Sequence, residues 1–457
     1  MNNLSDDWAK DIDFAAYVGI DWADKEHAVC LMNMETGETQ RYKVKQDPEA
    51  LVEWVTGLRT RFGGRKIAVA LEQRKGGLIW ALMVYDFLVL YPINPKTVAK
   101  YREAFFPSGA KGDPCDAELL MDLVRLHRPR MRAWKPEDEP TRLLGLLVEH
   151  RRKLVNERTR VTNALQSTLK GYFPQALQLV GEINSIQACD FLTRWPSLKA
   201  LQGVRRKVIE NFYKAHNVRR TDVIERRVRE ILGARPLTED PAVIEASVMM
   251  VRTKAAQLRC LIEAIDKYEK RIEELFSQHP DRELFESLPG AGEALAPRLA
   301  TVFGSDRDRY GGADEIQQFS GVAPVTKQSG QMLIVQRRLA CPKFVLQTFV
   351  EHADQSRKKS GWAQQYYGKQ RAQGMSHHAA LRALAYKWIR IIYRCWKDRV
   401  KYDEEFYQAA LLKRQSPPAS TEGACTDGAS TEGASTEGAC TDDASTEGAG
   451  LEQGLAA

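Results

Sequence analysis

Apolar residues fall in short blocks through the first 140 positions. AAYVGID (15–21) reads as a buried strand. HAVCLMN (27–33) and TQRYKVKQ (39–46) read as two more, with METGE between them as a turn. PEALVEWVTGLRTRF (48–62) has the spacing of an amphipathic helix. KIAVALE is a further strand, GLIWALMVYDF a helix and VLYPINP another strand. A three-stranded meander followed by helix, strand, helix and strand is the order expected of a ribonuclease-H-like sheet.

The pattern changes near residue 141. TRLLGLLVEHRRKLVNERTRVTNALQSTLKGYF reads as one long helix, with Leu147, Leu154 and Val161 repeating every seven residues beside Leu144 and Leu165. Val251, Leu258, Ile265 and Ile272 form a second repeat, with Ile262 and Phe276 alongside. Two such stretches predict an antiparallel helical hairpin or an intermolecular coiled coil. Arg151, Arg152, Lys153, Arg158, Arg160 and Lys170 give the first a basic face, either solvated or facing phosphate. The span 181–243 reads as mixed helix and loop.

LFESLPGAGEALAPRLATVF (284–303) looks like a helix-hairpin-helix element. Gly290 and Gly292 permit a tight turn, and the helix that follows offers free N–H groups to a nucleic-acid backbone. FSGVAPVTKQSGQMLIVQRR (319–338) is a loop leading into a strand, with Lys327, Arg337 and Arg338 near its second Ser-Gly pair. Residues 342–407 are helical and rich in aromatic and basic side chains, the aromatics mostly core and some cations available to a nucleic-acid groove. From Ala419 to Gly448 six pentapeptides of the ASTEG type run consecutively, a composition that cannot bury a core and predicts disorder.

The expected divisions are therefore 1–140 (α/β), 141–280 (helical, coiled-coil), 281–412 (mainly α, with the hairpin element) and 413–457 (acidic tail). The net charge is +7, but the last 42 residues hold eight acids and no Lys or Arg, which leaves +15 on residues 1–415. That balance favours a polyanionic partner. Eight scattered cysteines without CxxC spacing argue against a zinc site and for reduced thiols. No apolar run reaches the ~18 residues of a membrane helix, and the N-terminus lacks the regions of a signal peptide. The expected location is cytoplasmic, with no membrane partner.

Four carboxylates carry the candidate chemistry. Asp21 and Glu72 end apolar strands, and Asp113 and Asp116 open a helix in KGDPCDAELL, with Pro114 at its first turn. Alone, each acid reads as a cap or a strand end. Together, on two strand ends and one helix start, they read as a site for one or two Mg²⁺ ions working on a phosphodiester.

Residues 15–407 resemble the bacterial transposases of the insertion sequence 110 family, which are RNA-guided recombinases. GIDWA, ALEQ and KGDPCDA match that family's RuvC-like DEDD set at Asp21, Glu72, Asp113 and Asp116. LPGAGEALAPRLATVFG and FSGVAPVTKQSG match its C-terminal part. The resemblance implies DNA cleavage and rejoining through a covalent serine–DNA intermediate. It implies Mg²⁺, donor and target DNA, a structured noncoding guide RNA, a homodimer or tetramer, and association with the bacterial nucleoid. It places the nucleophile on Ser329. The residues themselves leave Ser320 and Ser329 open, since both are Ser-Gly in a loop, with the neighbouring cations favouring Ser329 slightly. Two departures stand out: Gln331 follows Gly330 where many relatives have a second glycine, and the pentapeptide tail has no counterpart. The alternative is a RuvC or RNase H-like nuclease or junction resolvase that uses water as nucleophile.

Overall fold

The computed structural model describes residues 9–72, 76–105, 113–330 and 332–415, and the acidic repeats lie outside them. Strands β1 (Ala16–Asp21), β2 (Glu26–Asn33) and β3 (Thr39–Lys45) form the meander. Helix α1 (Pro48–Arg61), β4 (Ile67–Leu71), α2 (Gly77–Leu82), β5 (Leu88–Pro92), α3 (Pro95–Phe105) and α4 (Asp113–His127) follow. The sheet order is β3-β2-β1-β4-β5, antiparallel through β1 and parallel from β1 to β5, so the α/β part is RNase H-like. Helix α2 stops at Leu82, short of the predicted Phe87, because the chain must reach the start of β5 at Leu88.

Side-chain alternation divides the sheet into two cores. Val18, Ile20, Val69, Leu71 and Leu90 face α1 and α2. Tyr17, Cys30, Ala68, Ala70 and Tyr91 face α3 and α4. Small residues on the second face let α4 lie close. At Gly19 the approach is closest, since a Cβ there would stand 2.0 Å from the Ala117 carbonyl oxygen and 2.4 Å from the Met121 nitrogen. Gly19 therefore sets the height of α4 over β1.

The long helices α5 (Glu139–Tyr172) and α11 (Pro241–Ser277) pack on each other within one chain. Val251, Leu258, Ile265 and Ile272 are all buried, as their spacing requires. On α5 the buried line is Leu144, Val148, Leu165 and Leu169, and the repeat at Leu147, Leu154 and Val161 is only half-buried on its flank. Between them α6 (Ala176–Leu179), α7 (Ile186–Arg194), α8 (Leu198–Gln202), α9 (Arg206–Ala215) and α10 (Thr221–Gly233) build a lobe. Its core is continuous with the α5–α11 pair.

The remainder holds α12 (Arg282–Glu286), α13 (Gly292–Phe303) and α14 (Ala313–Phe319). An antiparallel hairpin of β6 (Val325–Ser329) and β7 (Met332–Gln336) comes next. Helices α15 (Lys343–Ser356), α16 (Gly361–Ala372) and α17 (His377–Asp398) complete this part, and α18 (Glu404–Gln415) stands as a separate unit from Glu405 onward. Trp388, Trp396, Phe303 and Phe349 are fully buried where α13, α15 and α17 meet. The segment that leaves the sheet is tied to the loop after α13: Lys135 pairs with Asp306 at 2.8 Å, and Glu137 accepts from the Ser305 amide at 3.0 Å. No helix among the described residues is long and apolar enough to cross a membrane.

Candidate active site

Asp21 and Glu72 stand side by side at one end of the sheet. Strands β1 and β4 are parallel with Ile20 opposite Leu71; Asp21 is the last residue of β1, and Glu72 is the first residue after β4. Alternation continues the set Tyr17, Gly19 and Ala68, Ala70, which puts both acids on the α4 face. Both are half-buried.

The turn after Asp21 is braced from below. His27 is 1% exposed, and its Nδ1 accepts from the Ala23 amide at 3.2 Å while Nε2 faces Gln46. Burial lowers its affinity for a proton, with the Gln46 bond opposing. A neutral ring is what this bond requires, because only an unprotonated Nδ1 accepts. No motif marks this histidine beyond its place in a strand.

Helix α4 begins at Asp113, over the end of β1 that carries Asp21. The Asp113 side chain lies outside the described residues. Asp116 is 3% exposed and is held by Arg102 of α3, whose Nε donates to Oδ1 at 2.9 Å. A buried carboxylate requires such a partner. Arg102 is thus a site residue that sequence reasoning missed, since no helix was expected over 95–105. Among the described residues, no three His, Cys, Asp or Glu side chains gather closely enough to hold one ion. The donors are all hard carboxylate oxygens, the chemistry that suits Mg²⁺. Asp21 and Glu72 are the adjacent pair, while Asp116 is turned to Arg102.

The two Ser-Gly pairs separate clearly. Ser320 is 0% exposed, its Oγ donates to the Gln317 carbonyl at 3.1 Å and accepts from the Val322 amide at 3.4 Å. Ser329 is exposed at the last position of β6, opposite Met332, beside the Gly330 turn. Lys327 lies two residues before it on the same face of the hairpin and is exposed. Arg338 is half-buried and directs Nε toward the Ala323 carbonyl at 3.4 Å. Arg337 is exposed at the base of the hairpin, near Arg382 of α17. Burial and then the Arg337 charge lower the proton affinity of Arg382. A second crowded set lies on α16 and α17, where burial, Lys369 and Arg390 lower that of Lys387. Like charges held together are a place for an anion.

The turn at Gly290 brings the backbone close against the protein itself. Its φ is +76°, and a Cβ would stand 2.6 Å from the Gln355 carbonyl carbon on α15. Gly292 faces open space, with Glu293 in the first turn of α13. On α5 part of the basic face is taken up: Arg151 pairs with Glu269 and Arg152 with Glu351.

Residues 18–174 match the DEDD transposase family of the IS110 type. Residues 282–368 match the transposase family IS116/IS110/IS902, and the two matches together cover more than half of the 457 residues. The chain belongs to the IS110 family of transposases. It is 28% identical over 405 residues to a protein of Streptomyces coelicolor named as a mini-circle transposase for IS117, covering 87% of this chain and 97% of the other. It is 27% identical over 389 residues to a 44.8 kDa protein of insertion element IS116 in Streptomyces clavuligerus, covering 84% and 95%. It is 24% identical over 390 residues to a 42 kDa protein of IS900 in Mycobacterium paratuberculosis, covering 84% and 96%. As an IS110 transposase the protein is an enzyme that acts on DNA, and its DEDD domain is of a type that uses a divalent metal.

Proposed function

We propose that this transposase cuts and rejoins DNA through a covalent bond between Ser329 and the DNA, with Asp21, Glu72, Asp113 and Asp116 holding one or two Mg²⁺ ions. The observation that carries the reading is the contrast between the two halves of the site. Asp21 and Glu72 end adjacent parallel strands on the face that α4 covers, and Ser329 ends an exposed hairpin whose strands pack chiefly on each other. When bound, the metal would orient the phosphodiester and offset its developing charge. The carboxylates set that position, and Ser329 supplies the attacking oxygen. Lys327, two residues before it on the same face, would meet a phosphate there, while Arg337 and Arg338 follow Gln336 at the opposite end of the hairpin. A buried, doubly hydrogen-bonded Ser320 is unsuited to this task.

The exposed hairpin fits delivery of Ser329 to the acids of another copy, in a homodimer or tetramer. Target and donor would be chosen by base pairing with a structured noncoding RNA, the property implied by the family resemblance. The test is complementation between two inactive proteins, Asp21→Asn and Ser329→Ala. Strand cleavage by the mixture, absent from each alone, supports a site shared between copies. If each variant alone keeps cleaving the element's DNA, the reading fails. If only Ser329→Ala keeps cleaving, water is the nucleophile and the protein acts as a nuclease.

A further inference from the structure

The lobe between the long helices carries charge that the proposed site does not use. Residues 194–235 hold twelve Lys or Arg against four Asp or Glu. That net +8 sits in about a tenth of residues 1–415, which together carry +15. Arg206, Arg220 and Arg226 are paired with Glu210, Asp222 and Glu230. Lys199, Arg205, Lys207, Lys214, Arg219 and Arg229 are exposed and, among the described residues, form no ion pair. A solvated face would be expected to intersperse its signs. This one concentrates cations.

The charge borders a groove. Helices α7 and α9 flank an open cavity of about 640 Å³, lined by Thr193 and Arg194 on one side and by Val208, Asn211, Phe212, Ala215 and His216 on the other. Asp190 lies at its edge and is already engaged by Arg259 and, at 3.4 Å, by His216. The Arg194 guanidinium stacks on the Trp195 ring at 4.8 Å, which fixes it at the groove. Lys207, Asn211 and Lys214 share one face of α9 by helical spacing, which places both lysines at the rim, about 10 Å apart.

The kind of partner follows from what the lobe lacks. Single-strand binders stack bases on exposed rings. Here Phe191, Trp195, Phe212 and Tyr213 are all buried, and they are every Phe, Trp and Tyr of residues 186–235. Phe212 reaches the groove floor but is only 6% exposed, too little to stack a base, and the rim offers charge and hydrogen-bond donors, the means of gripping phosphate without reading bases. We propose that the α7–α9 groove seats the phosphate backbone of a double helix, with Arg194, Lys207, Asn211 and Lys214 as its contacts. The inference rests on the reading that the chain handles nucleic acid, but it concerns a surface apart from the carboxylates and Ser329. Duplex DNA and a paired RNA stem offer the same backbone chemistry, and the test separates them.

The experiment measures binding of the full-length protein to a DNA duplex and to an RNA hairpin stem, each of about 30 base pairs, across a range of salt concentrations. The variant carries Arg194→Glu, Lys207→Glu and Lys214→Glu, and a milder one carries Gln at the same three positions. The Glu variant is expected to bind at least one of the two helices tenfold or more weakly, with the Gln variant between it and the unaltered protein. The slope of log affinity against log salt should fall by about 2–3, since each lost phosphate contact removes about 0.9. The helix whose slope falls identifies the ligand. Thermal unfolding, unchanged because the side chains are exposed, excludes misfolding as the cause. Equal affinity and equal slope in all three proteins would overturn the proposal while leaving the transposase reading intact. An unaltered protein that binds neither helix would overturn both.

Discussion

Arg102 donates to Asp116 through Nε at 2.9 Å, and both side chains are largely withdrawn from water. The pair joins α3 to α4 and supplies the positive charge that a buried carboxylate of the proposed metal site needs. Removing Arg102 leaves that charge unpaired, at a cost of about 3 kcal/mol. Arg102→Ala should therefore unfold at a lower temperature than the unaltered protein. A cation at the carboxylates would replace the lost charge, so Mg²⁺ should raise the melting temperature of Arg102→Ala more than that of the parent. Equal responses to Mg²⁺ would separate Asp116 from the metal.

Gly19 is the contact point between β1 and α4. An added methyl group would meet backbone atoms, the Ala117 oxygen at 2.0 Å and the Met121 nitrogen at 2.4 Å, which cannot rotate away. Gly19→Ala is expected to destabilise the protein by at least about 2 kcal/mol, read from denaturant unfolding. A variant as stable as the parent would show that α4 lies farther from the sheet.

The two serines should differ in kind. Ser320→Ala removes two buried hydrogen bonds and should cost about 1 kcal/mol of stability. Ser329→Ala alters an exposed hairpin tip and should change stability by no more than about 0.5 kcal/mol. Chemical denaturation of both variants makes the comparison.

Much of this arrangement was legible in the sequence. Apolar blocks gave the strands and their order, and an acid after such a block must sit at a strand end, which located Asp21 and Glu72. The helix start at Asp113 was visible through Pro114. Contacts made across the fold were not legible. Arg102 lies on a helix, PKTVAKYREAF, that buries only Val98 fully, and its partner Asp116 is fourteen positions on, so neither the helix nor the ion pair was foreseen. Ser320 and Ser329 share the same local sequence, and burial alone distinguishes them. The seven-residue repeat on α5 marks a flank because α5 serves two neighbours, α11 and α13, which widens its buried face.

Acid should weaken the fold through His352. The ring is buried against Trp388, 5.1 Å between centroids, and burial pushes its pKa down to about 4, with the Pro289 carbonyl opposing. The unfolded chain titrates near 6.5, so below that pH the unfolded state binds the extra proton. The stability is present in full above pH 6.5 and is lost as pH falls toward 4, roughly 3 kcal/mol in all. Unfolding measured between pH 6.5 and 5 should fall more steeply for the parent than for His352→Leu. Parallel slopes would contradict the assignment.

The central claim is that Ser329 bonds to DNA while the carboxylates hold the metal. The direct measurement incubates the protein with DNA of the element's ends, its flanking RNA and Mg²⁺, then separates the products on a denaturing gel. The account predicts a protein–DNA adduct with the parent and none with Ser329→Ala or Asp21→Asn. Adduct formation by Ser329→Ala, or strand cleavage by the parent that leaves no adduct, would contradict it.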